Sequence, residues 1–251
     1  MENILLPDME TSYLLDRFVD LYKKSTDIND IKEVNSEEYK AFITCTGLPI
    51  KLVDVKKLMY YLPVYPPFFK FYSENDYIWL IPCHIPAEEE GKYRITGFVL
   101  RSYFGNTEKK YMNFHVDNAF PNIYGLHDFR DFEKDTPIVV TEGIKYALFL
   151  KKYYKYTISS LTNSLNINMI KMFRNITDTF VIAYDFDARG KTGTTKLTKV
   201  LLREQCTVKS IISFYGGMKD WGNFFTRDLP PEREFEHISS LLRGAECKLT
   251  I

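Results

Sequence analysis

In the stretch VIAYDFDARG, Val181 to Gly190, a short apolar run ends abruptly in two aspartates one residue apart, followed by a basic residue and a glycine. Val181, Ile182, Ala183 and Tyr184 suit a strand covered on both faces, because they are β-branched or aromatic with no polar alternation. Asp185 and Asp187 then fall at its carboxyl end. That is the edge of an open α/β sheet where ligands bind, and an i, i+2 spacing on extended chain points both carboxylates to one side. Two like charges about 4 Å apart repel by roughly 4 kcal/mol at an effective dielectric of about 20, so the pair calls for a divalent cation. A plainer alternative stands beside this: one aspartate caps a helix and the other is a solvated acid.

Around this stretch the chain alternates strand and helix. A buried strand from Ile138 to Thr141 ends at Glu142 and leads into a helix from about Lys145. A strand from Tyr156 to Leu161, a helix from Ile167 to Phe173, a helix from Thr194 to Cys206 and a strand from Val208 to Phe214 complete the pattern. Such alternation implies parallel strands joined by right-handed crossovers. Acids then gather at one sheet edge: Glu142, Asp185 with Asp187, and Asp220 just past the last strand.

Upstream the pattern changes. The first fifty residues read as an amphipathic helical accessory segment, with Tyr13, Leu14, Phe18, Leu21 and Tyr22 at helical spacing. A short helix after Lys51 gives way at Pro63, Pro66 and Pro67 to extended chain. The runs FFKFY, YIWLIPCHI and YRITGFVLR then read as an antiparallel meander. Arg101, Lys109, Lys110, Tyr111 and Asn113 follow beside Tyr103 and Phe104. Cations interleaved with rings suit a single-strand groove, while a solvated turn with ordinary core aromatics is the plainer explanation from composition alone. NIYGLHDF is a turn at Gly125, and DFRDFEKDT a polar linker to Thr136.

With 251 residues, 45% of them hydrophobic and 26% charged, the chain can bury one sizeable core or two modest ones. Its 33 basic and 33 acidic residues cancel, so a nucleic-acid surface must be a local patch. Cys45, Cys83, Cys206 and Cys247 are too scattered for a zinc ribbon and read as reduced thiols of a cytoplasmic protein. No stretch approaches a membrane span or a secretion signal.

The EG at Glu142–Gly143 together with DFDARG resembles the Toprim domain shared by bacterial-type primases, topoisomerases and small nucleases. GFVLR at Gly97 to Arg101, KKYMN at Lys109 to Asn113 and YGL at Tyr124 to Leu126 resemble, in order, what precedes Toprim in the DnaG-type primase catalytic core. SSLTNSL at Ser159 to Leu165 and KDWGNF at Lys219 to Phe224 also match that family. The resemblance runs from about Phe68 to Phe225 and is similar in compactness to phage cores. It implies an α/β fold, a Toprim domain (a parallel sheet flanked by helices) preceded by an α+β primase-core subdomain. The divisions expected are an accessory segment at 1–50, the subdomain with its basic ridge at 51–134, the Toprim domain at 135–226 and a tail at 227–251.

The resemblance also implies chemistry. Glu142, Asp185 and Asp187 would hold Mg2+ or Mn2+, with Asp220 as a further catalytic acid. Gly143 would let the backbone approach the site and Gly190 would open the helix beside it. Arg101, Lys109, Lys110, Tyr111, Asn113 and Lys219 would hold template and nucleotide phosphates. The implied activity is template-directed synthesis of RNA primers from ribonucleoside triphosphates on single-stranded DNA. The implied setting is the cytoplasm, or that of the host cell for a phage chain. A helicase, a zinc-bearing subunit or a single-strand-binding protein is the expected partner. Two departures, Tyr146 and Gly222 where the family has acids, leave a Toprim nuclease or a catalytically weak replication scaffold as alternatives.

Overall fold

The computed structural model describes strand residues 2–4, 26–27, 60–62, 78–86, 93–102 and 111–115, and residues 123–126, 129, 132–151, 153–162, 164–211 and 231–244. Two compact units divide the chain, residues 1–84 with 94–122 and residues 85–93 with 123–251.

The first sheet is built from β1 (Glu2–Ile4), β2 (Thr26–Asp27), β3 (Tyr60–Leu62), β4 (Ile78–Pro86), β5 (Tyr93–Ser102) and β6 (Tyr111–His115), in the order β1-β6-β5-β4-β3-β2. β4 and β5, the second and third runs of the expected meander, are neighbours in this sheet, and β3 pairs antiparallel with β4 and β5 with β6. The first fifty residues are not wholly helical, however. β1 pairs parallel with β6, and β2 pairs antiparallel with β3. Strands of two or three residues are too short to carry a period, which is why the sequence pattern conceals them. The segment around Tyr13 to Tyr22, the short helix after Lys51 and FFKFY lie outside the described residues.

In the second unit β7 (Ile138–Thr141), α1 (Ile144–Lys151), β8 (Thr157–Ser159), α2 (Ile167–Arg174), β9 (Thr179–Ala183), α3 (Ala188–Arg203) and β10 (Thr207–Ser210) alternate, and α4 (Pro231–Gly244) follows. The sheet order is β10-β9-β7-β8, and every pairing is parallel. β7, β8 and nearly all of β9 are buried, as apolar strands between helical layers must be. Ile138, Val140, Ile158, Phe180 and Ile182 share a core with Met169, Ile170 and Phe173 of α2 and Leu197 and Leu201 of α3. Val139 and Val181, of alternate strand parity, are buried outside that cluster, as are Ala147 and Leu150 of α1. Strand alternation thus sends successive side chains to opposite layers.

Several boundaries differ from expectation: β8 is Thr157–Ser159 instead of Tyr156–Leu161, β10 is Thr207–Ser210 instead of Val208–Phe214, and α3 ends at Arg203 instead of Cys206. α3 begins at Ala188, not Thr194, because Asp187 caps it and the unfavourable glycines 190 and 193 are both buried in packing rather than left in a loop. β9 begins two residues early at Thr179 and stops before Tyr184. Two aromatic residues of the expected polar linker, Phe129 and Phe132, are packed against the core. Phe129 and Phe132 stack with centroids 5.0 Å apart and pack on the core beside Tyr156, whose ring lies 4.5 Å from that of Phe132. Among the described residues no helix is long and apolar enough to cross a membrane.

Candidate active site at the sheet switch point

From β7 the chain moves to β8 on one side, then crosses to β9 on the other side of β7. The direction of winding therefore reverses between β7 and β9, and the crevice outside their carboxyl ends is where such sheets bind ligands. Register aligns Thr141 with Ala183, so Glu142 follows one strand and Asp185 the other.

Hydroxyl groups hold the β7 end. Thr141 Oγ1 donates toward the Ile158 carbonyl at 3.1 Å, and Ser159 Oγ donates to the Glu142 carbonyl at 3.1 Å. Ser160 N donates to the Thr141 carbonyl at 3.0 Å. Ser160 Oγ and the buried Tyr184 hydroxyl share a 3.0 Å hydrogen bond that ties the β8 turn to the end of β9. Fixing the backbone on both sides of the acid limits the orientations that the Glu142 side chain can take.

At the β9 end, Asp187 Oδ1 accepts from Gly190 N at 2.8 Å and caps α3. The plainer alternative for the Asp-x-Asp pair is thus realised for Asp187. Asp185 is only partly exposed, and its Oδ1 is buried. Its backbone lies against Gly190, where an added Cβ would stand 2.6 Å from the Asp185 carbonyl carbon. At Gly143 a Cβ would meet only the Tyr146 ring, at 3.4 Å, an ordinary contact. Space therefore demands glycine at 190 and not at 143.

Glu142 has a side-chain exposure of 14%, and its Oε1 lies 3.5 Å from Nε of the exposed Arg189. Burial pushes its carboxyl group up in pKa, the Arg189 charge pulls it down, and the Asp187 charge pushes it up again. Tyr184 is likewise raised by burial, is lowered by its bond to Ser160, and is raised by the Glu142 charge. Glu142 therefore stands in the field of Asp187, and Arg189 supplies the positive charge beside Glu142. That ion pair has no sequence signal, because nothing at Arg189 distinguishes it from other exposed helix cations.

Among the described residues no group of three or more His, Cys, Asp or Glu side chains is arranged to hold a metal ion. Glu142 and Asp187 are brought together, while the three acids do not form a ready-made cage. Hard carboxylate oxygens at a half-buried, mutually repelling site still suit Mg2+ or Mn2+, since such a site gains from added positive charge. Tyr146, at the position of an expected acid, is buried in α1. Asp220, Lys219, Gly222, Lys109 and Lys110 lie outside the described residues. In the first sheet Arg101 pairs in register with Tyr111, and Val99 with Asn113. Asn113 is 1% exposed, which corrects its place on a ridge: a side chain so buried does not meet a nucleic-acid strand.

Glu142 gives a pH dependence. An acid whose folded pKa is raised favours the folded state while protonated, so this contribution weakens as pH rises through the window above the ordinary glutamate value. Glu142→Gln removes the penalty. We expect the metal-free variant to melt higher than the parent at pH 7, and the difference to shrink toward acid. Calorimetric scans across pH check it, and a lower melting temperature at pH 7 would contradict the assigned environment.

Residues 139–225 match the family described as Toprim-like. No curated protein is matched by the sequence. Among solved structures, the zinc-binding and RNA polymerase domains of the Aquifex aeolicus primase align with a TM-score of 0.66 at 19% identity, over 95% of this chain and 62% of that one. The RNA polymerase domain of the Mycobacterium tuberculosis primase DnaG aligns at 0.62 and 14% identity, over 93% and 86%. A DnaG primase catalytic domain bound to single-stranded DNA aligns at 0.58 and 16% identity, over 95% and 85%. The chain therefore has the fold of a DnaG-type catalytic core around a Toprim-like segment, and spans under two thirds of the Aquifex structure.

Proposed function

We propose, from a Toprim-like sheet set in the fold of a primase catalytic core, that this chain builds short RNA primers on single-stranded DNA by nucleotidyl transfer. The observation that carries the reading is the placing of Glu142 after β7 and of Asp185 and Asp187 after β9, on the two adjacent strand ends where the strand order reverses. Those three residues would hold Mg2+ or Mn2+, with Asp220 as a further acid. The ion would stabilise charge on the attacking and leaving oxygens of the transfer.

The chain's own groups do the remaining work. Ser159 and Ser160 hold the β7 end, so Glu142 is presented from a fixed backbone. Asp187 commits one oxygen to the cap of α3 and keeps the other for a metal. Arg189 balances Glu142 and, 65% exposed, stands where an incoming phosphate would arrive. Arg101, Lys109, Lys110, Tyr111 and Lys219 hold template and triphosphate. Residues 51–134 carry that ridge and 135–226 the acids. Segments 1–50 and 227–251 dock a helicase, a zinc-bearing subunit or a single-strand-binding protein, although β1 and β2 tie part of the first into the sheet.

The buried Tyr146 favours a second reading, a catalytically weak scaffold. One assay separates them: single-stranded DNA, ribonucleotides and Mg2+ or Mn2+ are incubated with the protein. Short RNA is the expected product, cleaved DNA would indicate a nuclease, and neither would favour the scaffold.

A further inference from the structure

α3 concentrates positive charge of which the described chemistry uses only Arg189. Its sixteen residues include Arg189, Lys191, Lys196, Lys199 and Arg203 and no acid, in a chain whose 33 basic and 33 acidic residues cancel overall. All five cations are exposed. Among the described residues, no carboxylate pairs with Lys191, Lys196, Lys199 or Arg203. At roughly 100° per residue, Arg189, Lys196, Lys199 and Arg203 fall within an arc of about 80°, clear of the buried line Gly190, Gly193, Leu197 and Leu201. Lys191 lies on the other flank.

The stripe is about 21 Å long at a rise of about 1.5 Å per residue. It starts at the candidate site, because Arg189 touches Glu142 and Asp187 caps the helix. A row of unpaired cations leading away from an acid cluster has the charge and length to follow several successive phosphates. A solvated helix face of a neutral protein more commonly interleaves acids with its lysines, as i, i+4 pairing favours.

We propose that Lys196, Lys199 and Arg203 form a track for the phosphate backbone of the nucleic acid held at this site. The inference rests on the primase reading for which strand is bound, but not for the binding itself. Anisotropy titrations of fluorescent single-stranded DNA and of an RNA·DNA hybrid, run without metal or nucleotides, test it over a series of salt concentrations. The variant K196Q/K199Q/R203Q, altered only at exposed positions, should bind more weakly. Its log K against log salt should be shallower by about two units on a single strand and nearly three on a duplex-like hybrid, at about 0.7 and 0.9 per lost contact. The arm that shows the loss identifies the strand on the track. An unchanged slope on both ligands overturns the proposal, as does an equal loss per charge from K191Q, which would mean diffuse charge and not a stripe. Failure of the primase reading shows separately, as absence of RNA product from the unaltered chain.

Discussion

Gly190→Ala is expected to reduce activity to background while leaving most of the fold intact. The new Cβ would lie 2.6 Å from the Asp185 carbonyl carbon and 2.9 Å from its Cα, both backbone atoms with no rotamer to change. α3 must therefore shift away from the end of β9. That shift pulls Gly190 N from Asp187 Oδ1, so cap and acid geometry are lost together. Overpacking of this kind costs roughly 1–3 kcal/mol, and displacement of reacting groups by about 1 Å costs on the order of a hundredfold in rate. Primer synthesis and thermal melting measured side by side check it. Gly244→Ala, where a Cβ meets nothing within 4 Å, serves as the silent comparison. Normal activity in Gly190→Ala would mean that α3 does not position the acids.

Asp185→Asn should lower turnover by about a thousandfold or more, the scale seen when a preorganised charge-stabilising group is removed. The fold should hold or tighten, since relieving repulsion among neighbouring acids is neutral or favourable without metal. Calorimetric titration of Mn2+ adds a readout independent of turnover: the parent should bind and the variant should bind much more weakly. Turnover near that of the parent would remove Asp185 from the site.

Much of this arrangement was legible beforehand. Unbroken apolar runs at Ile138–Val140 and Val181–Tyr184 announce buried parallel strands, and acids close after them announce a working edge. What escaped has physical reasons. Glycines 190 and 193 disguise the first turn of α3, because glycine is penalised in helices unless packing requires it. Phe129 and Phe132 are framed by Asp128, Arg130 and Asp131, and their stacking depends on a non-local partner, Tyr156. The Arg189–Glu142 pair joins residues 47 positions apart, beyond any local pattern. Asn113 was placed by its neighbours in sequence, whereas its strand position opposite Val99 puts it inside.

The pairing of β7 with β9 has a kinetic consequence. Val139 meets Val181 across forty-two positions of chain, with β8 and both its flanking helices in between. Local helices can form in about a microsecond, but this contact must wait for a long loop to close. Glu142 therefore gains its acidic neighbours only late, when the central ladder zips. A nascent chain ending before Thr179 carries Glu142 without those neighbours, so the proposed ion site is incomplete until synthesis has passed Asp187. Ion-binding capacity during translation should consequently arise in one abrupt step and not grow with chain length.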